Sequence, residues 1–563
     1  MSRAAGSGNL AGMTRSTAFL RRWAPLALAL ALSACAGVAP APAAKPRLVV
    51  LFVVDGLPQR QVTAYRDQLA PDGFARFLER GAAFEQAYYG YSFTVTAAGH
   101  ATVLSGAYPH RSGIIGNEWV DVGSGQPMYC TGDPSASYIG HKTGAMDGTS
   151  PRNLKVETLG DVLRRVEPRS KVIGISGKDR GAILPAGKTG TAYMYMGGTG
   201  QFASTTYYMQ QHPGWVTAFN AAKPADRFFK TEWKPLLPEA AYARSLPDSQ
   251  PWFGPGGGKL PMMMGSDADD APGPNYYAAL LRSPFADALT LDFARAAIAG
   301  EQLGADDAPD ILSVSLSGHD YVNHRWSAES RLSHDHLLHL DRLLQAFFAD
   351  LDRSVGRDNY LAVLTADHGF MPAPETSQSQ GLAAGRVSGT QLLAAVNGAL
   401  EQRFGVPRLG RNLSASAILL DRALVAARAL DPEAVARAAR DALLAQPPIA
   451  AAFTRGELAS GSRAGEPLFD PMRKTWNREV SGDVQYALKP YWMFGSSTSI
   501  ATHGSPYPYD TQVPILMWGP RWVKPGAVAS RVEVADIAPT LAQVLGIPAP
   551  PASEGRPLPM GAP

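Results

Sequence analysis

Residues 48–56 read LVVLFVVDG, a run of seven apolar residues that is followed at once by Asp55 and Gly56. A short, continuous apolar run bounded by turn residues is typical of a strand that is buried on both faces, as in a parallel sheet. Polar, glycine-containing sequence also follows four further runs of this kind: Val172–Ile175, Ile311–Leu316, Tyr360–Thr365 and Val513–Trp518.

Helical patterns lie between these runs, at Val156–Val166, at about 327–355 and at Val532–Leu545. Strands that alternate with helices predict an α/β fold in which helices cover both faces of a mostly parallel central sheet. Two regions interrupt the alternation, at about 186–285 and about 372–498, and we expect both to be insertions that cap the sheet. In the second, a helix over Pro432–Ala445 with Asp431 as its N-cap predicts a small α/β subdomain.

The N-terminus has the pattern of an export signal. Three arginines (Arg15, Arg21 and Arg22) precede an apolar run, 24–32, that is too short to cross a bilayer as a helix. The run ends in Leu32-Ser33-Ala34-Cys35, which resembles the lipobox of bacterial lipoproteins, where the cysteine is acylated. Ordinary cleavage near Ala39-Pro40-Ala41 is the alternative.

These features divide the chain into three parts. Residues 1–34 are predicted to be a lipoprotein-type signal peptide, and 35–46 to be a tether kept extended by prolines. Residues 47–563 then form the folded domain. This organisation predicts a periplasmic or outer-membrane-anchored protein whose membrane contact is only through a lipid on Cys35.

Composition and charge exclude some classes of protein. The chain has 563 residues, of which 45% are hydrophobic and 18% are charged, as in an ordinary globular protein. Its formal net charge is +3, but residues 1–34 carry four arginines and no acid. The rest of the chain is therefore close to neutral. This charge gives no support for a nucleic-acid partner. Besides Cys35 there is only Cys130, which we expect to be a small buried thiol.

Candidate metal ligands lie close to the ends of the predicted strands, with His503 just before the last of them. Ligands of open α/β sheets bind outside the carboxyl ends of the strands. Mixed Asp and His side chains suit zinc better than calcium or magnesium, which prefer oxygen. Taken singly, each Asp also fits a turn or an N-cap, and each His fits a structural role. Six side chains qualify: Asp55, Asp320, His324, Asp367, His368 and His503.

These residues belong to motifs that occur in a fixed order along the chain. After the first strand and Asp55 come T-x-x-G-H (96–100), G-I-x-G-N (113–117), K-x-R (178–180), D-x-x-x-H (320–324), D-H-G (367–369) and H-G-S (503–505). Together with YSFTVTAAGHATVLSGAYPHRSGIIGNEW (91–119), this order resembles the alkaline phosphatase superfamily over about residues 47–555. The resemblance is closest to the phosphate-irrepressible alkaline phosphatases, near the type I phosphodiesterases and nucleotide pyrophosphatases.

The resemblance implies an alkaline-phosphatase-like three-layer sandwich that hydrolyses phosphate monoesters with two zinc ions and a covalent phosphothreonine. Relatives place the nucleophile four residues before the His and 21 before the Asn; Thr96 satisfies both spacings, to His100 and Asn117, and Thr94 satisfies neither. The implied ligands are Asp320, His324 and His503 for one zinc ion, and Asp55, Asp367, His368 and the Thr96 oxygen for the other.

Three further side chains are implied to bind the substrate phosphate, namely Asn117, Lys178 and Arg180. A monoester dianion carries one more charged oxygen than a diester, so two cations there favour small-molecule phosphate monoesters. The nearest alternative is a phosphodiesterase or nucleotide pyrophosphatase, whose relatives lack the Lys-x-Arg pair. A sulfatase would need a C/S-x-P-S-R type motif, which the sequence around Cys130 does not match.

Other features have simpler interpretations. A catalytically dead, lipid-anchored binding protein is a third hypothesis, which the complete set of ligand positions disfavours. A monomer is favoured over an oligomer. His334, Asp335, His336 and His339 lie on the long amphipathic helix, and we interpret them as a solvated face or as helix N-terminal packing rather than a third metal site. The aromatic clusters at 489–495 (KPYWMFG) and 507–510 (YPYD) fit either core packing or a cleft mouth.

Overall fold

A nine-stranded sheet built around β1 (Leu48–Val54) organises the described part of the chain, residues 45–253 and 257–560 of a computed structural model. The predicted signal peptide, Cys35 and all but the last residues of the tether lie outside the described residues. The other strands are β2 (Ala82–Tyr88), β3 (Glu118–Val120), β4 (Pro127–Tyr129), β5 (Val172–Ser176), β6 (Thr191–Met196), β7 (Gln201–Ala203), β8 (Glu232–Trp233), β9 (Met262–Met263), β10 (Asp310–Leu316), β11 (Tyr360–Thr365), β12 (Gly385–Val387), β13 (Gly410–Ser414), β14 (Ala417–Leu420), β15 (Ile449–Thr454), β16 (Val484–Leu488), β17 (Trp492–Phe494), β18 (Ile515–Trp518) and β19 (Gly526–Glu533).

Helices connect the strands and cover the sheet. None of the helices in the described ranges is long and apolar enough to cross a membrane. The α-helices are Gln59–Ala64, Phe74–Arg80, Thr96–Ser105, Pro109–Ser112, Leu159–Val166, Asp179–Ala186, Gly214–Ala221, Pro274–Leu280, Pro284–Glu301, Gly318–Trp326, Arg331–Leu351, Pro374–Ser379, Gly389–Phe404, Arg422–Ala427, Pro432–Leu444, Arg455–Ser460, Phe469–Thr475, Pro508–Thr511 and Ile537–Leu545.

The central sheet has the order β19-β2-β18-β11-β1-β10-β5-β6-β7. Strands β11, β1, β10, β5 and β6 are mutually parallel, whereas β18 and β7 run antiparallel to their neighbours. The prediction of an α/β fold with a mostly parallel sheet is therefore confirmed. The run expected at Val513–Trp518 forms β18, an interior antiparallel strand, and burial on both faces gives such a strand the same continuous apolar sequence.

Two expected boundaries differ from the structure. The stretch 191–203 lies inside the first expected insertion, yet it forms β6 and β7 of the central sheet. The helical pattern expected from Val532 begins as a helix only at Ile537, because Val532 pairs with Ala87 in the sheet. Strand β19 is largely exposed and lacks a continuous apolar run, whereas β6 is mostly buried and its sequence TAYMYM was not recognised as a strand.

The second expected insertion, 372–498, carries a sheet of its own, with strand order β13-β14-β16-β15. Helices Gly389–Phe404 and Pro432–Leu444 pack on this sheet through a separate apolar core. The Asp431 side chain accepts a hydrogen bond from the Glu433 amide and so caps its helix as expected. We call this region the cap subdomain.

The register of the sheet positions the candidate ligands. Leu316 of β10 lies beside Val54 of β1, and Thr365 of β11 lies beside Val53. The strands β11, β1, β10 and β5 therefore end at one edge, about 4.8 Å apart. The residues that follow them form a row across this edge in the order Asp367 with His368, Asp55, Asp320 and Lys178.

Candidate active site

The carboxylates in this row are crowded, and a glycine makes the crowding possible. Asp55, Asp320 and Asp367 are all buried. Gly56 has a φ of +71°, which favours glycine, and its amide donates to Asp367 Oδ1 at 3.0 Å. A Cβ atom at Gly56 would lie 3.1 Å from Asp320 Oδ1, so a larger residue would press on that carboxylate.

Asp320 faces two imidazoles. Its Oδ1 lies 3.4 Å from His324 Nε2 and 3.6 Å from His503 Nε2. His324 Nδ1 lies 3.0 Å from the carbonyl oxygen of Ala501, and His503 Nδ1 lies 2.9 Å from that of Thr94. Because a carbonyl only accepts hydrogen bonds, each Nδ1 carries a proton, and each ring directs its Nε2 toward Asp320.

His368 has the same arrangement toward the other predicted ligands. Its Nδ1 donates to the carbonyl oxygen of Gly369 at 2.8 Å. Its Nε2 lies 3.3 Å from Asp367 Oδ2, 3.5 Å from Asp55 Oδ1 and 3.5 Å from Thr96 Oγ1. The structure thus brings the members of each predicted ligand set together.

The two sets adjoin through His368. Its ring stacks on that of His503, with centroids 3.4 Å apart. Ligand atoms of Asp320, His368 and His503 lie within 4.8 Å of one another, as do those of Asp55, Asp367 and His368. His368 therefore stands between the two predicted metal positions.

The chemistry of these groups fits a bound cation. Asp55 Oδ1 and Asp320 Oδ1 are buried and have no hydrogen-bond donor. Burial lowers the pKa of both His368 and His503, which keeps the imidazoles neutral. Buried acceptors that face one another at 3.3–3.6 Å are unfavourable unless a cation lies among them. Mixed carboxylate and imidazole donors suit zinc.

Lys178 lies between the two carboxylates. Its Nζ is 2.5 Å from Asp320 Oδ2 and 2.7 Å from Asp55 Oδ2, and it lies 4.9 Å from the ring centre of Tyr321. Burial opposes the charge on Asp320, but Lys178 and the neighbouring histidines outweigh it and hold the pKa of Asp320 well below its usual range. Burial and the Asp367 carboxylate raise the pKa of Asp55 well above its usual range.

Thr96 is the first residue of helix Thr96–Ser105, which packs directly on the strand end after β11. A Cβ atom at Gly99 would come within 2.1 Å of the Asp367 carbonyl oxygen, so only glycine permits this approach. His100 Nδ1 lies 2.9 Å from the Thr96 carbonyl oxygen and 3.3 Å from Asp367 Oδ2. The T-x-x-G-H motif thus fixes the start of the helix against Asp367.

The neighbouring hydroxyls are directed elsewhere. Thr94 Oγ1 donates to the carbonyl oxygen of Ser505 at 3.0 Å, and Ser92 Oγ lies 2.9 Å from Thr475 Oγ1. Of the three candidate hydroxyls, Thr96 is the one directed at His368. The geometry therefore agrees with the choice made from spacing.

Asn117 is held by the start of the same helix. Its Oδ1 accepts a hydrogen bond from the Ala97 amide at 2.8 Å. Because the carbonyl oxygen of the side chain is engaged, its Nδ2 is oriented to donate elsewhere. This orientation is consistent with a role in binding a phosphate oxygen beside Thr96.

Arg180 has a partner that the motifs do not indicate. Tyr129 Oη accepts a hydrogen bond from Arg180 Nη1 at 2.9 Å and donates one to Asp179 Oδ1 at 2.6 Å. Tyr129 ends β4, on the hairpin that follows Asn117. It is thus a positioning residue for the guanidinium, and no local sequence signal distinguishes it from other tyrosines.

Replacing Tyr129 by phenylalanine is expected to lower kcat/KM for a phosphate monoester about tenfold, because one hydrogen bond that orients a charged group is lost. The value for a phosphate diester should change less. Steady-state kinetics on both substrates measure this difference. The control is Tyr207→Phe, because Tyr207 Oη bonds to the Lys188 carbonyl oxygen outside the site. Equal losses on the two substrates would argue for a purely structural role of Tyr129.

The side chains at 334–336 on the long helix Arg331–Leu351 contact other parts of the protein. The interpretation of 334–339 as a solvated face is wrong for His334, Asp335 and His336, which are buried. His334 Nε2 lies 2.6 Å from Gln68 Oε1, and Asp335 accepts from Trp233 Nε1 at 2.6 Å. Packing at the helix N-terminus is the interpretation that holds. Cys130 is a buried free thiol, as expected.

Comparisons with known proteins agree with this geometry. The model of the family described as type I phosphodiesterase / nucleotide pyrophosphatase matches residues 49–505. A protein of Myroides odoratus named calcium-transporting ATPase is 36% identical, over 91% of this chain and 94% of its own. Alkaline phosphatase PhoV of Synechococcus elongatus is 34% identical, over 92% and 93%. The crystal structure of alkaline phosphatase PafA superimposes with a TM-score of 0.84 at 31% identity, over 92% of this chain and 99% of that one.

Proposed function

This chain belongs to the type I phosphodiesterase / nucleotide pyrophosphatase family and is a phosphoric monoester hydrolase of the alkaline phosphatase superfamily, and we propose that it works through two zinc ions and a covalent phosphothreonine at Thr96. The observation that carries this proposal is the convergence of Thr96 Oγ1, His368 Nε2 and the orphaned Asp55 Oδ1 at one strand edge. An alcohol is a poor nucleophile unless a metal or a base activates it.

The residues that would hold the ions are those predicted from the motifs. Asp320, His324 and His503 would hold one zinc ion, and Asp55, Asp367, His368 and Thr96 Oγ1 the other. When bound, the pair supplies positive charge to the attacking and leaving oxygens of an in-line displacement. The backbone carbonyls that accept from each Nδ1 keep the imidazoles oriented for this role.

The chain's own groups then carry the reaction in two steps. Thr96 Oγ1 gives up its proton and forms a bond to phosphorus as the bond from phosphorus to the leaving oxygen breaks, and the leaving alkoxide takes up a proton to become the alcohol. Water next attacks the phosphothreonine, so that inorganic phosphate leaves and the Thr96 hydroxyl is restored. The N-terminal end of helix Thr96–Ser105 favours negative charge at this position.

Substrate class follows from the cations around the phosphate. We propose that Asn117 Nδ2, Lys178 and Arg180 bind the oxygens that do not react. A monoester has a charged oxygen where a diester has a second ester group, so Arg180 stabilises the monoester more. One relative, from Myroides odoratus, is named calcium-transporting ATPase, whereas the cations of this site and the alkaline phosphatase relatives support hydrolysis of phosphate monoesters.

The Lys-x-Arg pair gives the test of this proposal. The wild type should hydrolyse p-nitrophenyl phosphate with a much higher kcat/KM than bis-p-nitrophenyl phosphate. Lys178→Ala combined with Arg180→Ala should lower the monoester value on the order of 10³-fold and the diester value by less than about tenfold, because both cations proposed to bind the additional charged oxygen of the monoester are lost. Steady-state kinetics on both substrates measure the change.

A matched control lies just before β5. Arg169 and Lys171 are exposed and pair with Glu167 and Glu301 at the opposite end of that strand. Arg169→Ala with Lys171→Ala should leave both activities unchanged. A wild type that prefers the diester would refute the monoesterase assignment and favour the phosphodiesterase alternative.

We also propose that the protein is exported and anchored by a lipid on Cys35. The support is the sequence pattern of residues 15–35, and the folded domain begins close behind it. In a bacterial host that processes lipoproteins, the wild type should fractionate with membranes and Cys35→Ser should not. Equal distribution of the two forms would contradict lipidation.

A further inference from the structure

A cavity of about 500 Å³ adjoins the candidate active site at His503. One wall comes from the central domain, with Phe93 and the backbone around Gly504. The other wall comes from the cap subdomain, where Leu413, Trp492 and Phe494 line the cavity. A concave site of this volume is in the range that encloses an organic molecule of moderate size.

Apolar side chains form much of the cavity lining, and three of its serine hydroxyls are engaged within the protein. Ser414 Oγ accepts from the Val120 amide at 2.8 Å. Ser416 Oγ donates to the Tyr486 carbonyl oxygen at 2.7 Å, and Ser505 Oγ donates to Asp510 Oδ2 at 2.6 Å. These groups therefore offer little directed hydrogen bonding to a ligand, whereas the aromatic and aliphatic side chains offer contact area.

The charges in the cavity favour a neutral occupant. Among the described residues that line it there is no lysine or arginine, and Asp510 is the one acid. Asp510 is buried, and its Oδ1 has no hydrogen-bond partner. A second anionic group on a ligand would therefore find no lysine or arginine among the described lining residues to pair with it.

The cavity shares His503 with the candidate active site. His503 lines it, stacks on His368 at 3.4 Å, and belongs to the ligand set that faces Asp320. Thr96 Oγ1 in turn lies 3.5 Å from His368 Nε2. A phosphate ester bound at Thr96 thus has the cavity beside it for its organic group.

We propose that this cavity binds the leaving group of the substrate and that it selects uncharged, largely apolar alcohols, such as aryl or long-chain alkyl groups. The proposal rests on the monoesterase function argued above. Monoesters whose organic part carries further phosphates or carboxylates, nucleotides among them, are the substrates that the cavity disfavours.

The test compares three aryl monoesters with leaving groups of similar acidity: 2-naphthyl, phenyl and 4-carboxyphenyl phosphate. We expect kcat/KM for 2-naphthyl phosphate to exceed that for phenyl phosphate about tenfold, since added apolar contact in a pocket has this order of effect. The value for 4-carboxyphenyl phosphate should be the lowest. Calorimetric binding of naphthyl and phenyl phosphonates, which are not turned over, should give the same order.

The variants for this test place a positively charged side chain in the cavity. Leu413→Lys should raise kcat/KM for the carboxyphenyl ester about threefold and lower that for the naphthyl ester, because a cation now faces the bound group. Thr390→Lys adds a cation at an exposed lining position, where folding is not at risk, and should also favour the carboxyphenyl ester. The control is Leu444→Lys, at a cap-subdomain residue that is 44% exposed and outside the cavity.

Equal kcat/KM values for the three esters, with no effect of either lining variant, would overturn the proposed leaving-group site while the monoesterase function stood. Failure of the wild type to hydrolyse any of the three esters would instead overturn the proposed function and this inference with it. Tighter binding of the phenyl than of the naphthyl phosphonate would also count against the cavity.

Discussion

Replacing Thr96 by alanine is expected to lower kcat for p-nitrophenyl phosphate by a factor on the order of 10⁴ or more, because the oxygen that forms the covalent intermediate is lost. The fold should survive, since the side chain is small and helix Thr96–Ser105 keeps its contacts through Gly99 and His100. Steady-state and single-turnover kinetics measure the loss, and metal analysis should show that zinc remains bound.

Two variants make this result specific. Thr94→Ala removes a neighbouring hydroxyl that bonds to the Ser505 carbonyl oxygen, and it should cost less than about tenfold. Thr96→Ser keeps an oxygen at the reacting position and should retain a substantial part of the activity. Near-normal turnover in Thr96→Ala would exclude Thr96 as the nucleophile.

Removal of metal is expected to cause the second large loss of phosphatase activity. A strong chelator should abolish phosphatase activity, because the orphaned carboxylates and imidazoles cannot by themselves stabilise charge on the reacting oxygens. Zinc should restore activity, whereas magnesium or calcium alone should not, since both prefer oxygen ligands. Activity that persisted after complete removal of metal would contradict the two-ion site.

Metal content gives an independent measure of the same claim. Mass spectrometry of the purified protein should find about two zinc ions per chain, and His503→Ala should reduce this number toward one. His110→Ala is the matched control, because His110 bonds to the Lys474 carbonyl oxygen away from the strand ends. A content of one zinc ion per wild-type chain would mean that either the Asp320 set or the Asp55 set does not bind zinc as proposed.

The sequence was sufficient to predict the strands at the centre of the sheet. Leu48–Val54 and Tyr360–Thr365 were predicted with their observed bounds, because burial on both faces imposes a continuous apolar run. Strand β19 was not predicted because it is largely exposed and has no such run, and β7 was not predicted because it has only three residues. The order of strands depends on contacts between segments far apart in sequence, which no local pattern contains.

Part of the candidate site could likewise be predicted from the sequence, and part of it needed the structure. Asp55, Asp320 and Asp367 were found because each lies within four residues after a predicted strand, and spacing singled out Thr96. The placement of Lys178 between Asp55 and Asp320 follows from the neighbouring positions of β1, β10 and β5, so it needed the structure. The contact of Tyr129 with Arg180 joins a hairpin to a helix and has no counterpart in any motif.

The phosphothreonine itself is the most direct evidence for the central claim. The wild-type protein is mixed with p-nitrophenyl phosphate, quenched in acid within the time of one turnover, digested and analysed by mass spectrometry. We expect a single phosphate on the peptide that contains Thr96, located on that residue by fragmentation. Phosphate on Ser92, Thr94 or a residue elsewhere, or unmodified peptide during rapid turnover, would contradict the covalent mechanism.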